Sequence, residues 1–121
     1  MIGVLDYGIG NIGSILNMLK KAGAEAVAVT TGEGVSVCDQ LILPGVGAFD
    51  QGMALLEKSG MRGALDEAVT SGKPILGICL GMQMLGLCSE EGHSAGLGYL
   101  PLSMRRFHLE DHPELKVPHM G

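Results

Sequence analysis

Aromatic and basic residues are scarce in this chain, long apolar runs are missing, and each shortage removes a class of function. Trp is absent and Phe and Tyr number 2 each in 121 residues, so aromatics reach only 3%. A nucleic-acid groove built on stacking rings has nothing to stack with, and any core must be aliphatic and rich in Met. Lys and Arg number 8 against 13 Asp and Glu, a formal net charge of -5. The basic stripe that phosphate backbones require is missing, so no nucleic-acid partner is expected. The 3 cysteines, Cys38, Cys79 and Cys88, form neither a CxxC pair nor an even disulfide framework, which suits a reducing cytoplasm. The N-terminus shows no basic region leading into an apolar stretch, and no later run reads as a bilayer span. The expectation is a cytoplasmic protein without a membrane partner.

What is present reads as one globular domain over residues 1–121. Hydrophobic residues make up 46% and charged residues 17%, enough apolar surface for a core at this length. Apolar runs at Met1–Asp6, Ala24–Thr30, Gln40–Leu43 and Ile75–Ile78 suit buried parallel strands. Between them, Ile12, Ile15, Leu16 and Leu19 recur at helical spacing, with Lys20 and Lys21 closing the helix and Gly23 stopping it. Met53, Leu55 and Leu56 begin a helical stretch that Ser59 and Gly60 interrupt; Met61, Leu65, Ala68 and Val69 resume it until Gly72. Residues 31–38 read as a loop, and Met82, Leu85 and Gly86 as the inner face of a helix after Cys79. Beyond Ser89 the pattern loosens: 90–98 reads as a loop rich in Glu and Gly, Leu100–Phe107 as a strand and 108–116 as polar surface. Strands alternating with helices predict a parallel sheet covered on both faces.

The chain is organised around Pro74-Ile75-Leu76-Gly77-Ile78-Cys79-Leu80-Gly81-Met82-Gln83. A strand that turns sharply into a helix strains its corner residue and needs small neighbours, which Gly77 and Gly81 supply. Such a corner lifts one side chain above the sheet, where the helix N-terminus and the next amide would favour a thiolate and a developing oxyanion. Spacing alone leaves a nucleophile and a buried core cysteine equally open. A second glycine loop, Pro44-Gly45-Val46-Gly47-Ala48-Phe49, follows the third strand, where open α/β sheets place their ligands.

A third loop, Gly8-Ile9-Gly10-Asn11-Ile12-Gly13, spells GxGxxG between a strand and a helix. With Glu33 about 20 residues further on it could hold a dinucleotide, yet a lone GxGxxG is more often a tight packing turn.

Four segments taken together carry a resemblance: Asp6-Tyr7-Gly8-Ile9-Gly10-Asn11, Leu43-Pro44-Gly45-Val46-Gly47-Ala48-Phe49, Gly77-Ile78-Cys79-Leu80-Gly81-Met82-Gln83 and Lys116-Val117-Pro118-His119-Met120-Gly121. In this order along the whole chain they resemble the class I glutamine amidotransferases. Within that family they are most like the glutaminase subunits of imidazole glycerol phosphate synthase, in histidine biosynthesis. The resemblance implies an α/β fold of three layers, a mostly parallel, flavodoxin-like sheet with helices on both faces, shortened at its C-terminus. It also implies that Cys79 attacks the side-chain amide of glutamine to give a thioester and ammonia. The amides of Leu80 and of Val46 or Gly47 would then form the oxyanion hole, while Gly45, Gln83 and Glu91 hold the substrate. Ammonia would pass to a (β/α)8-barrel synthase subunit in a heterodimer, with Asn11, His119 and Met120 at that interface. No cofactor and no metal are implied.

One departure matters. The family draws its triad His and Glu from a segment well beyond the Pro118-His119-Met120-Gly121 motif, so residues 1–121 alone are expected to be weakly active or inactive. His112-Pro113-Glu114 imitates the family triplet and His108-Leu109-Glu110 does so loosely, but both sit in a charged run that reads as solvated loop. A metal site from His108, Glu110, Asp111 and His112 has no supporting pattern. Two alternatives stand beside the glutaminase: a non-catalytic docking form of the same fold, and a dinucleotide-binding module using Gly8–Gly13 and Glu33.

Overall fold

The computed structural model describes residues 1–89, 95–101 and 103–104. Its elements are β1 (Ile2–Leu5), α1 (Ile12–Lys21), β2 (Ala26–Val29), α2 (Gly32–Val37), β3 (Gln40–Leu43), α3 (Phe49–Ser59), α4 (Arg62–Thr70), β4 (Ile75–Gly77), α5 (Leu80–Met84), β5 (Cys88–Ser89) and β6 (Ser103–Met104). The main sheet has 4 parallel strands in the order β2-β1-β3-β4. The connection from β1 to β2 runs one way across the sheet and those from β2 to β3 and β3 to β4 run the other. Right-handed crossovers therefore put α1 on one face and α2, α3 and α4 on the opposite face. The order reverses between β1 and β3, so the loops after these strands flank the crevice where such sheets bind ligands.

Most expected elements are present, and the differences have local causes. Residues 31–38 contain a helix and not only a loop. The Thr31 hydroxyl oxygen accepts the Gly34 N–H at 3.2 Å, Glu33 complements the first turn, and Val35 is driven into the core. At the far end of α2 the Lys73 ammonium donates to the carbonyls of Val35 and Ser36 at 3.1 and 3.0 Å. The interrupted helical stretch is two helices, separated where Gly60 adopts φ 78, and the first begins at Phe49, which is fully buried. Of the expected strand at Leu100–Phe107, Ser103–Met104 form β6, which pairs in parallel with β5; residues 102 and 105–107 lie outside the described residues.

The sheet's two faces are packed unequally. On the α2, α3, α4 and α5 side, Leu5, Val29, Leu41 and Leu43 join Phe49, Met53, Leu56, Met61, Leu65, Leu80 and Met84 in one apolar cluster. Aliphatic side chains and Met fill it as the scarcity of aromatics requires. On the α1 side, Val4, Ile42 and Leu76 stand in one cross-strand row, and their exposure rises from 0% to 6% to 58%. The amphipathic α1 thus shields β1 and leaves the face of β4 open. A largely apolar groove of about 260 Å³, lined by Ile2, Leu19, Ile42, Pro74 and Leu76 among others, runs along it. No helix among the described residues is long and apolar enough to cross a membrane.

Both tyrosines of the chain join separate elements through their hydroxyls. Tyr99 ties segment 95–101 to α4 by donating its hydroxyl to Asp66 at 2.5 Å. Tyr7, 5% exposed, donates to the Pro44 carbonyl at 2.5 Å. Burial pushes the Tyr7 phenol up to about 12; burial first, and then the bond to Asp66, pushes Tyr99 up as well.

Two predictions follow from this packing. Leu41→Ala should cost about 2–5 kcal/mol in chemical denaturation, whereas Leu76→Lys, one row away on the open face, should shift stability by no more than about 0.5 kcal/mol. Because folding raises both phenol pKa values, their contribution to stability is complete below the ordinary tyrosine value of about 10 and is lost as pH climbs through the folded values. An alkaline titration of tyrosinate absorbance should therefore show no ordinary step near pH 10 but a late rise coinciding with loss of circular dichroism.

Candidate active site

The corner between β4 and α5 is built by close backbone approach. A Cβ at Gly81 would lie 1.8 Å from the Leu43 carbonyl oxygen, and one at Gly77 would lie 2.6 Å from the Met82 Cα. Glycine at both positions lets the first turn of α5 press onto the end of β3. Between them Cys79 takes φ 54 and ψ -121, the one positive φ of a non-glycine residue among those described. Such strain persists only where neighbours over-determine it, and here hydrogen bonds hold it on both sides. Ile78 donates to Leu43 at 3.0 Å, Leu80 to Gly45 at 3.1 Å, and Gly81 to Ile78 at 3.0 Å. The thiol is exposed at the corner, while the buried core cysteine is Cys38. The alternative left open by spacing is thereby resolved in favour of an accessible sulfur on a strained elbow.

The loop after β3 lies against this corner. The Leu80 amide, expected as an oxyanion donor, is already bonded to the Gly45 carbonyl. The Val46 and Gly47 amides have no partner among the described residues; Val46 is 56% exposed and Gly47 has φ 103. Gly45 has no room for a side chain, since a Cβ would sit 2.6 Å from the Tyr7 hydroxyl and 3.1 Å from the Leu80 Cβ. A cleft of about 280 Å³ opens beside Cys79, walled by Gly45, Val46 and Ile78 on one side and Asn11, Ser14 and Ile15 of the α1 end on the other.

Helix α5 carries Gln83, whose Oε1 is buried and has no hydrogen-bond partner among the described residues. A buried orphan acceptor costs about 1–3 kcal/mol, a cost that a ligand's N–H donor would remove. Met82, expected to face inward, is instead 46% exposed, and Met84 and Leu85 fill the core. The sharp turn at Cys79 and the five-residue length of α5 set a phase that periodicity counted from Met82 does not reproduce.

Asn11, expected at a partner interface, is the N-cap of α1 and accepts the Ser14 N–H at 3.4 Å. Its neighbours Gly8 and Gly10 have φ 109 and 114, and a Cβ at Gly10 would touch Pro44 at 3.4 Å, so these glycines let the first loop lie on the third-strand loop. Glu33 stands in the first turn of α2, on the opposite side of the sheet from α1, and the structure does not bring it to the glycine loop. Glu91, His119 and Met120 and the two imitation triplets His108–Glu110 and His112–Glu114 lie outside the described residues, as does His93, so no histidine is among those described. Among the described residues no three His, Cys, Asp or Glu side chains gather into a metal site.

Tyr7 was not singled out by sequence reasoning, although it carries the buried hydroxyl behind Gly45. The available signal was a ring placed directly before a glycine loop in a chain with almost no rings.

Comparison with known proteins agrees with this geometry. Residues 4–108 match the CobB/CobQ-like glutamine amidotransferase domain. The chain is 54% identical over its full length to the imidazole glycerol phosphate synthase subunit HisH 2 of Pseudomonas aeruginosa, covering 59% of that protein. It is 48% identical, over 99% of its length, to the HisH subunit of Synechococcus elongatus, covering 54% of it. A solved structure described as a glutamine amidotransferase superposes on 87% of the chain with a TM-score of 0.74 at 26% identity, the match covering 56% of that structure. The chain thus spans somewhat more than half the length of the relatives it matches. With a family match over nearly all of its length and an elbow cysteine facing a glycine loop, this chain belongs to the glutamine amidotransferase family.

Proposed function

We propose that residues 1–121 carry the nucleophile half of a glutaminase centre that releases ammonia from glutamine for a synthase partner. The observation that supports this most strongly is the strained, exposed Cys79 between Gly77 and Gly81, set against the Pro44–Gly47 loop in a chain of this family. The Cys79 sulfur adds to the side-chain amide carbon, the carbonyl π electrons move to oxygen, and the tetrahedral intermediate expels nitrogen, which leaves as ammonia after taking a proton. Water then cleaves the thioester to glutamate and restores the thiol.

The oxygen of that intermediate needs N–H donors, and in the described geometry the Leu80 donor is taken by the Gly45 carbonyl. Rotation of the single Gly45–Val46 peptide plane exchanges a carbonyl oxygen for the Val46 N–H at the same spot and frees the Leu80 N–H. The hole therefore forms on substrate or partner binding, with Gly47 as a further amide and Gly45 giving the clearance. Gln83 meets the amino-acid end of glutamine through its orphaned oxygen, with Glu91 beside it. Ammonia passes to a (β/α)8-barrel subunit in a heterodimer, on a surface that includes Asn11, His119 and Met120. Relatives named as imidazole glycerol phosphate synthase subunits support histidine biosynthesis as the setting.

A general acid and base contribute roughly 10²–10⁴-fold, and residues 1–121 assayed alone should release glutamate slower by about that factor than the full-length Pseudomonas aeruginosa relative assayed alongside them. The Cys79 thiol should still react. The chloroketone 2-amino-4-oxo-5-chloropentanoate should label Cys79 once per chain, glutamine should slow the labelling, and Cys79→Ser should abolish it, as read by intact mass and peptide mapping. Labelling at Cys79 that glutamine leaves unchanged would overturn the proposal.

A further inference from the structure

We infer that Tyr7 is a positioning residue for the oxyanion loop: its hydroxyl pins the peptide plane before the one that must turn. The inference rests on the glutaminase reading of Cys79 and deepens it.

The Tyr7 ring leaves the end of β1, lies 5% exposed in the core, and reaches two other elements at once. Its hydroxyl donates to the Pro44 carbonyl at 2.5 Å and stands 3.4 Å from the Met84 Sδ on α5. The Pro44 carbonyl and the Gly45 N–H share one rigid peptide plane. The adjacent plane holds the Gly45 carbonyl, which accepts the Leu80 N–H, together with the Val46 N–H. Fixing the first plane confines any rearrangement to the Gly45 ψ and Val46 φ angles. The carbonyl and the N–H then trade places without displacing Pro44, which is buried.

Two features make the pin specific to a phenol. The hydroxyl abuts Gly45 so closely that a Cβ there would lie 2.6 Å away, so the ring is the stop against which the loop is set. A phenylalanine would fill the same volume but leave the buried Pro44 carbonyl without its donor. Because burial holds the phenol up at about 12, it remains a donor over the whole range in which a thiolate works.

The test compares two electrophiles on the 121-residue chain and its Tyr7→Phe variant. Attack of Cys79 on the carbonyl of 2-amino-4-oxo-5-chloropentanoate passes through a tetrahedral alkoxide that needs the loop amides. Sulfur then bonds the chloromethyl carbon as chloride leaves, its bond to the former carbonyl carbon breaks, and the alkoxide collapses back to the ketone. Iodoacetamide reacts by direct displacement of iodide, with no alkoxide. Tyr7→Phe should slow chloroketone labelling of Cys79 about tenfold and change iodoacetamide labelling less than about twofold. Rates are taken by peptide mapping below the melting temperature of each variant. Met84→Leu, which removes the sulfur contact and keeps the hydroxyl-to-carbonyl bond, should leave both rates unchanged and controls for a general loosening of the core. Equal slowing of both reagents by Tyr7→Phe, or failure of that variant to fold while Met84→Leu alone slows the chloroketone, would overturn the positioning role. So would an unchanged chloroketone rate. If the unsubstituted chain shows no glutamine-protected labelling, the glutaminase reading falls first and this inference with it.

Discussion

A backbone contact without side chains organises the molecule: the first turn of α5 rests directly on the end of β3. Gly81 comes so close to the Leu43 carbonyl that no Cβ fits, and Leu80 donates its amide to Gly45. Those contacts force Cys79 into the strained φ that puts its sulfur outside the sheet. They also couple the Cys79 turn to the Pro44–Gly47 loop. On the proposed glutaminase reading, the Leu80 N–H that would stabilise charge is the one that holds the resting corner together, and freeing it takes the turn of one peptide plane, which is possible at glycine and costly elsewhere.

The rest of the fold supports this contact from one side. The apolar cluster of α2, α3, α4 and α5 backs β3 and β4, and Gly52 of α3 lets Leu80 and Met84 nest against it, since a Cβ there would lie 2.9 Å from Leu80. On the other side α1 shields β1 and stops short of β4, leaving Leu76 exposed beside an apolar groove. Hydrophobic burial is therefore asymmetric about the sheet that carries Cys79, and the relatives, being longer, have further chain to place.

Much of the architecture was legible in local pattern. Apolar runs with glycine stops located all four strands of the main sheet, because strands of a parallel sheet read as near-continuous hydrophobic runs. Gly60 and Gly72 marked helix ends through their positive φ. The helix α2 was hidden by its composition, Gly32-Glu33-Gly34-Val35-Ser36-Val37, poor in helix formers and held by a Thr31 cap, a Lys73 ammonium and one buried valine. Met82 and Met84 could not be told apart as inward or outward residues, because the phase of a five-residue helix is set by the corner before it and not by its own period.

For the site, residue types and spacing located the candidate residues and left the role of Cys79 open. Cys79 between two glycines announced an elbow, and the Pro44–Gly47 loop announced a backbone surface beside it, since only glycine tolerates such approach and such φ values. Three-dimensional packing decided what spacing could not express. It selected Cys79 over Cys38 as the exposed thiol, turned the Leu80 amide onto the Gly45 carbonyl, left the Gln83 oxygen without a donor among the described residues, and set the Tyr7 hydroxyl behind the loop. These are pairings between segments tens of residues apart. Hydrogen-bond partnership and burial depend on which surfaces the sheet brings together, and a linear pattern records only the residues that each surface contains.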